Sequence, residues 1–355
     1  MPSRKAILIA IAAVLPVWAA AAVAPKKILV LPFSALGRAD EKARVMDVLT
    51  TDLARMGYEV ALPELAEPLL EELRIRYLDS MSKGSVNQLL QDTGAGALIT
   101  GSYWLGKAEL APEVAIMARL VGPDGELWWA GVKAMTSDDT KGAFGAGHKK
   151  TLEALAPSVS HALLDSLPNP GDRVPVKGLS RPGGGGHARS ATAAGRAQGQ
   201  QTLALLPLQN FTEDRSAAKI IESLLLLRLG AHHVSARPVE PAELRRALVD
   251  EKLPPFRVLG PDEMKKVAAK VGATLVLQGA VYNFGNTADL AGQISPEVVV
   301  SLSLFDVTSG KVVWHGMHGR TGKSYEGWLG MGRVRTLVGV ADATLSELLS
   351  TLPSD

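Results

Sequence analysis

The sequence has 355 residues, of which 46% are hydrophobic and 21% are charged. This is the usual composition of globular proteins and the length of about two domains. The formal net charge of +2 gives no general electrostatic case for binding nucleic acid. Because the sequence contains no cysteine, it offers no disulfide, no thiol nucleophile and no residue for the lipid attachment of bacterial lipoproteins.

The N-terminal segment has the pattern of a secretory signal. Arg4 and Lys5 precede an apolar run over residues 6–17, and an alanine-rich run over residues 18–24 offers small-residue cleavage sites. The alternative is an uncleaved membrane anchor, since this run approaches the roughly 20 residues that a spanning helix needs. The many alanines and Pro16 favour cleavage, so we assign residues 1–24 as a signal peptide. The mature chain is then expected in the periplasm of a Gram-negative bacterium, without a lipid anchor.

The first predicted domain covers residues 25–168. Its strands are predicted at residues 27–33, 58–62, 97–105, 113–121 and 126–135, and its helices at residues 45–56, 63–77, 85–92 and 148–167. The first helix is indicated by Val45, Leu49 and Leu53, which form an apolar stripe at a spacing of four. The resulting order is β-α-β-α-α-β-β-β-α.

Residues 169–201 are predicted to form a flexible linker. They include four consecutive glycines at residues 183–186 and few large apolar side chains. Five basic residues stand against one acidic residue, so the linker is basic. A basic tether can touch anionic lipid or peptidoglycan, while the simpler interpretation is that these charges provide solubility.

The second predicted domain, residues 202–355, repeats the order of the first. Its strands are predicted at residues 202–208, 234–236, 274–284, 298–307 and 311–318, and its helices at residues 217–229, 241–251, 261–271 and 334–352. The connection over residues 283–295 is longer than its counterpart in the first domain.

Short motifs recur in the same order in both halves. The matched pairs are Pro32 and Pro207, Gly101 and Gly279, Pro112-Glu113-Val114 and Pro296-Glu297-Val298, Trp129 and Trp314, and Pro168 and Pro353. The separation grows from 175 residues for the first pair to 185 for the last and never reverses. The pattern predicts an α+β fold class with two tandem similar domains, each a mixed β-sheet with helices packed on it.

The motifs also resemble those of a known family. The second half shows Gly-Ala-x-x-apolar-x-Gly at residues 272–279, and then a strand–turn–strand segment with Asp306, Gly310 and Trp314. Together with the openings Leu31-Pro32-Phe33 and Leu206-Pro207-Leu208, this pattern resembles the N-terminal domain type of the periplasmic translocation protein TolB. Similar folds occur in the periplasmic domain of the curli secretion channel, in a flagellar ring protein and in outer-membrane activators of penicillin-binding proteins.

This resemblance is looser in the first half, where Gly94-Ala95 stands for Gly-Ala and Pro123-Asp124-Gly125 forms the turn. It implies a non-catalytic envelope protein that binds other proteins. Two features depart from the family: no β-propeller repeats follow, and the lipidation cysteine of many relatives is absent.

Residues 316–324 superficially match a phosphate-binding loop. The spacing of such loops requires a glycine at position 317, which is methionine here. We therefore expect a flexible loop before the last helix, and no nucleotide site.

Metal binding and acid–base chemistry are equally weakly indicated. Structural zinc requires four ligands, and on a strand His315 and His318 would point to opposite faces. His232 and His233 lie elsewhere in the chain. The carboxylate pairs Asp138-Asp139 and Glu71-Glu72 fit solvated surfaces better than an acid–base pair. We expect no catalytic residue, no cofactor and no metal site.

Tryptophans are the candidate partner contacts, because tryptophan is enriched at interaction hot spots. Trp129 and Trp314 occupy matched hairpin positions, which favours core packing for both. Neighbouring residues of a strand point to opposite faces, so we expect one of Trp128 and Trp129 to be exposed. Trp328 lies in a glycine-rich segment. The predicted contacts are therefore Trp128, Trp129 and Trp328.

The leading hypothesis is a non-enzymatic assembly or accessory protein of the cell envelope that contacts periplasmic or outer-membrane proteins. The edges of its sheets would recruit partners by strand addition, and the linker would let the two domains engage separate sites. One alternative is a soluble ring component of an outer-membrane export or flagellar machine. Another, disfavoured for lack of a catalytic constellation, is a nucleotide-binding protein or enzyme. Self-association is left open.

Overall fold

The computed structural model describes residues 23–36, 42–73, 75, 81–106, 112–123, 125–140, 149, 151–173, 201–231, 236–255, 257–288, 293–327 and 332–353. Most of the predicted signal peptide and linker lies outside these ranges. Within them, the chain forms two α+β domains, each with a mixed sheet, as the sequence predicted.

Domain 1 contains the first six strands and four helices. Its strands are β1 (Lys27–Val30), β2 (Ser34–Ala35), β3 (Glu59–Ala61), β4 (Ala97–Leu105), β5 (Glu113–Val121) and β6 (Leu127–Thr136). Its helices are α1 (Lys42–Arg55), α2 (Pro63–Glu72), α3 (Lys83–Thr93) and α4 (Leu152–Leu164).

Domain 2 contains the remaining elements in the same order. Its strands are β7 (Gln201–Leu205), β8 (Gln209–Asn210), β9 (Ala236–Pro238), β10 (Leu275–Ala288), β11 (Ile294–Asp306) and β12 (Lys311–Thr321). Its helices are α5 (Ala217–Ala231), α6 (Pro241–Asp250), α7 (Pro261–Val271) and α8 (Leu337–Leu349).

The two sheets have the same strand order, β3-β1-β4-β5-β6 in domain 1 and β9-β7-β10-β11-β12 in domain 2. In each sheet the first three strands of this order are parallel, and the last three are antiparallel. Turn residues also correspond. Gly94 and Gly272 end α3 and α7 at φ of 63° and 64°, a left-handed conformation that glycine adopts without steric cost.

A glycine–tryptophan arrangement recurs on the edge strands β6 and β12 of the two domains. Trp129 lies over Gly131 and donates from Nε1 to Ser166 Oγ at 3.2 Å. Trp314 lies over Gly316 and donates from Nε1 to Thr351 Oγ1, also at 3.2 Å. The glycine leaves room for the indole ring, and the indole N–H reaches the end of the last helix. Both tryptophans therefore have the same structural role in holding α4 or α8 on its sheet.

Substituting Gly131 should fill the space that this indole occupies. A Cβ at residue 131 would lie 2.5 Å from Trp129 Cζ2 and 2.8 Å from Leu163 Cδ1. We expect Gly131→Ala to lower the free energy of unfolding by about 1–3 kcal/mol, because overpacking forces side chains out of their rotamers. Urea unfolding followed by tryptophan fluorescence measures this. The control is Gly84→Ala in α3, where a Cβ meets only Ser82 Oγ at 3.9 Å and alanine should stabilise by up to about 1 kcal/mol. Equal effects of the two changes would contradict the packing role.

The expectation that Trp128 and Trp129 point to opposite faces is wrong. The register between β5 and β6 shifts, so that Leu120 pairs with Trp129 whereas Val121 pairs with Leu127. Trp128 is therefore the extra residue of a β-bulge, which interrupts the alternation of a regular strand. As a result, both indoles pack against the same apolar cluster of domain 1.

Two boundaries differ from the prediction. The predicted long connection over residues 283–295 is largely strand, because β10 and β11 continue as a hairpin in which Ala288 pairs with Ile294. Residues 169–173, placed in the linker by sequence, belong to domain 1. Val23 forms a β-bridge with Arg173, and the Ala24 amide donates to Asp172 O at 2.9 Å.

Candidate partner-binding surface

The two domains pack against each other through α5 and α8. Both helices lie on the sheet of domain 2, and both also contact β6 of domain 1. Their side chains form one apolar cluster with residues of both domains, including Trp104 and Phe284, whose rings meet edge to face at 6.0 Å. Two helices of domain 2 are therefore covered by both sheets.

The sequence of these helices explains why they are buried on both sides. Leu224, Leu225, Leu227 and Leu229 of α5 are all buried, and they point in several directions around the helix axis. Such an all-round apolar helix needs cover on more than one face. By contrast, α1 is amphipathic, with Leu49 buried against its own sheet.

Glu113 joins the domains at the N-terminus of α8. Its carboxyl oxygens accept hydrogen bonds from the backbone N–H groups of Leu337 at 3.1 Å and Val338 at 3.3 Å. These amides have no partner within the helix, and a helix N-terminus carries partial positive charge. Desolvation raises the pKa of Glu113 to about 8, the two backbone hydrogen bonds lower it in part, and nearby Asp139 raises it.

A buried ion pair lies between the two shared helices. Arg228 of α5 donates from Nε to Asp342 Oδ1 at 2.6 Å and from Nη2 to Oδ2 at 2.5 Å. Only 1% of the Arg228 side chain and 7% of the Asp342 side chain are exposed. This bidentate pair fixes the position of α5 relative to α8.

In domain 1, the face of the sheet opposite α1 and α4 is covered in one part by α2 and α3 and in another part by domain 2. We call the second part the covered face, and it is formed by Leu36, Trp104, Ala115, Met117, Ala130 and Val132. Its large side chains are almost completely buried, with exposures of 8% for Leu36, 5% for Trp104 and 2% for Met117.

On the corresponding face of domain 2, α6 and α7 cover one part of the sheet, and exposed side chains occupy the part that matches the covered face. We call this part the open face, and by their spacing from the matched repeat motifs the counterparts of the six residues above are Phe211, Tyr282, Val299, Ser301, His315 and Met317, in that order. Tyr282 lies at a β-bulge, so that Asn283 pairs with Val299. Phe211, Tyr282 and Met317 are 60%, 48% and 59% exposed. The positions of the buried Leu36 and Trp104 thus hold exposed aromatic side chains in domain 2, and the position of the half-buried Val132 holds an exposed methionine.

The open face combines a stacked aromatic pair with a carboxylate. The rings of Phe211 and Tyr282 are 5.4 Å apart and inclined by 14°. Glu297 pairs with Thr321 as Glu113 pairs with Thr136, so the two glutamates occupy the same register position. Glu297 is half-buried and accepts a hydrogen bond from Asn283 Nδ2 at 2.7 Å. Exposed clusters of this kind are typical of interaction sites.

Two of the predicted contacts, Trp128 and Trp129, do not lie on this surface. Trp129 is buried in domain 1, with 7% exposure, and Trp128 is half-buried beside it. Trp328 lies outside the residues that the structure describes. The aromatic residues that are exposed on the open face are Phe211 and Tyr282 instead.

The other chemical candidates are dispersed. His315 and His318 point to opposite faces of β12, as predicted: His315 Nδ1 lies 2.8 Å from Ser303 Oγ, and His318 Nε2 lies 2.6 Å from Glu347 Oε2. His232 and His233 are outside the described ranges. Among the residues that are described, no group of three or more His, Asp or Glu side chains is placed to hold a metal ion.

The predicted flexible loop at residues 316–324 is wrong, because this segment is ordered secondary structure. Strand β12 continues to Thr321, and a 3-10 turn follows at Gly322–Tyr325. The paired carboxylates also separate in role. Glu71 and Glu72 are exposed at the end of α2, whereas Asp139 Oδ2 accepts from the Thr136 amide at 2.8 Å.

Sequence reasoning noted Glu113 and Glu297 only as markers of the repeat. A residue that matches between the two halves does not by itself show that the glutamate of domain 1 caps a helix of domain 2. The available signal was the apolar character of α5 and α8 on all sides, which indicates that a second surface must cover them.

Comparison with known proteins identified similar solved structures but no family. No protein-family model and no curated protein matches the chain. The PelC dodecamer from Paraburkholderia phytofirmans is 26% identical over 46% of this chain and 96% of that chain, with a TM-score of 0.30. The C-terminal domain of LpoB from Escherichia coli is 22% identical over 34% of this chain and 82% of that chain, with a TM-score of 0.24. Lipoprotein GNA1162 from Neisseria meningitidis is 14% identical over 42% of this chain and 99% of that chain, with a TM-score of 0.29.

Each of these similarities covers less than half of this chain and most of the solved chain. The TM-scores are too low to support an argument about function. Within the described ranges, every helix is too short or too polar to span a bilayer.

Proposed function

We propose that this protein is a non-enzymatic accessory or assembly protein of the bacterial cell envelope that acts by binding other proteins. It is exported by its N-terminal signal and works in the periplasm without a lipid anchor. The resemblance of its motifs to TolB-type N-terminal domains supports this assignment.

The observation that carries the proposal is the open face of domain 2. Phe211, Tyr282 and Met317 are exposed to water, which is unfavourable for large apolar side chains. Fully burying one such side chain stabilises a protein or complex by about 1.5–3 kcal/mol. In domain 1 the equivalent face gains this energy by packing on α5 and α8. A partner that covers the open face would gain it in the same way.

A pull-down of the full mature chain from envelope extracts tests the proposal. Met317→Glu places a charge on the open face without altering the core, because Met317 is 59% exposed. We expect wild type to recover a defined envelope protein and Met317→Glu to recover at least about tenfold less, which corresponds to roughly 1.4 kcal/mol of binding free energy.

The matched control is Thr51→Glu on the polar, exposed side of α1. It should recover as much partner as wild type. Undiminished recovery by Met317→Glu, or recovery of no envelope protein by wild type, would contradict the proposed function.

A further inference from the structure

The open face has an internal precedent that specifies what kind of partner fits it. The covered face of domain 1 shows what this sheet surface holds when it is filled, namely α5 and the first turn of α8. Within that contact, Glu113 accepts hydrogen bonds from the backbone N–H groups of Leu337 and Val338. The partner of the covered face is thus an apolar helix whose N-terminus meets a carboxyl group.

From this precedent, we propose that the open face of domain 2 docks the N-terminal end of an apolar α-helix from another envelope protein, with Glu297 as the acceptor for its first-turn N–H groups. This inference rests on the proposed function and names the class of partner.

The electrostatic complement is present at the required place. Glu297 lies opposite Thr321, as Glu113 lies opposite Thr136, and it is on the same side of the sheet as Val299 and Ser301. Asn283 donates one hydrogen bond to Glu297 Oε2, and a carboxylate can accept several. Anionic groups stabilise helix N-termini because the terminal N–H groups carry partial positive charge.

The apolar complement is also present. The stacked rings of Phe211 and Tyr282 stand where Leu36 and Trp104 bound the contact in domain 1, and Met317 stands where Val132 does. The face therefore offers aromatic side chains at β8 and β10 and a flexible apolar side chain on β12, on either side of β11. Methionine and aromatic side chains adapt well to helical partners.

A second copy of this chain fits the open face poorly. The helix that corresponds to α8 is α4, and Glu153 of α4 occupies the position of Val338. Docking α4 would bring the carboxylate of Glu153 to that of Glu297. The helices α5 and α8 are already held between the two sheets of their own chain, so neither is available to a second copy.

Site-specific photo-cross-linking of the full chain in growing cells tests the inference. A photoreactive residue replaces Met317, and the same residue at Thr51 on the outer side of α1 is the control. We expect a cross-link from position 317 to the first two turns of a helix in an envelope protein, and none to that helix from position 51. Adding Glu297→Lys should reduce this cross-link at least about tenfold, since a lysine ammonium repels the helix N-terminus. The melting temperature of the Glu297→Lys variant shows whether it is folded.

The position of the cross-linked residue in the partner decides the outcome. A cross-link to a strand or loop of an envelope protein overturns helix docking but leaves the proposed function in place. A cross-link to a second copy of this chain or to lipid, or no cross-link from position 317, overturns the inference. An undiminished cross-link in folded Glu297→Lys removes the role of this carboxylate and overturns it as well.

Discussion

Replacing Asp342 with alanine is expected to destabilise the protein by about 3–5 kcal/mol, the usual cost of leaving one charge of a buried ion pair without its partner. Arg228 and Asp342 form two hydrogen bonds between α5 and α8 in a position covered by both sheets. Without the carboxylate, the guanidinium would stay buried and uncompensated, or α5 would have to separate from domain 1. Urea unfolding and the melting temperature of the full chain measure the loss.

The exposed pair Arg44–Glu153 is the control for this change. Its side chains are 59% and 57% exposed, so Glu153→Ala should cost about 0–1 kcal/mol. If Asp342→Ala costs no more than this control, the buried pair does not hold the two helices together.

A double variant separates the cost of the unpaired charge from the loss of packing. Leu53 occupies the position of Arg228 in domain 1 and is fully buried, so this site in the fold accepts an apolar side chain. Combining Arg228→Leu with Asp342→Ala removes both charges. We expect this variant to recover most of the stability lost in Asp342→Ala, because apolar replacements of buried ion pairs are often neutral.

The element order could be predicted from sequence because it depends on local patterns. Glycines end helices, prolines begin them, and apolar stripes mark their buried faces. Each of these signals spans only a few residues and recurs in both halves. The predicted strands at 97–105 and 113–121 and the predicted helix at 261–271 coincide with β4, β5 and α7. The repeat itself then predicted that both sheets share one topology.

Features that depend on pairing between distant residues were not predictable in this way. The bulge at Trp128 arises from the register of β5 with β6, and no local pattern specifies that shift. The hairpin extension after Asn283 is polar and partly exposed, so it lacks the apolar alternation that marks a half-buried strand.

The candidate site was missed for a related reason. Tryptophans were preferred because they are frequent in interfaces, yet Trp129 fills a core position over Gly131. The large apolar side chains exposed on the open face are a phenylalanine, a tyrosine and a methionine from three separate strands or strand ends. Only the packing of one domain on the other shows that their counterparts in domain 1 form a contact surface.

Lowering the pH should stabilise the protein through Glu113. Burial raises the pKa of this carboxyl from 4.5 to about 8. Between these values the folded protein holds a proton that the unfolded chain has released, so stability falls as the pH rises. The contribution is fully present below about pH 4.5 and is lost as the pH rises through about 8. The shift from 4.5 to about 8 corresponds to on the order of 5 kcal/mol.

Comparison of wild type with Glu113→Gln isolates this contribution, because glutamine does not titrate. We expect wild type to lose several kcal/mol of stability between about pH 5 and about pH 8.5, and the variant to change much less over this range. Glutamine offers one acceptor oxygen to the two N–H groups of α8, which shifts the stability of the variant equally at both pH values. Unfolding in urea at both pH values measures the difference.

The control is Glu297→Gln at the matching position of the open face, where a half-exposed side chain can be exchanged at little cost at either pH. Because Glu113 accepts hydrogen bonds from the first N–H groups of α8, its ionisation affects the contact between the two domains. If the stability curves of wild type and Glu113→Gln stay parallel between about pH 5 and pH 8.5, Glu113 does not ionise with a raised pKa in the folded protein.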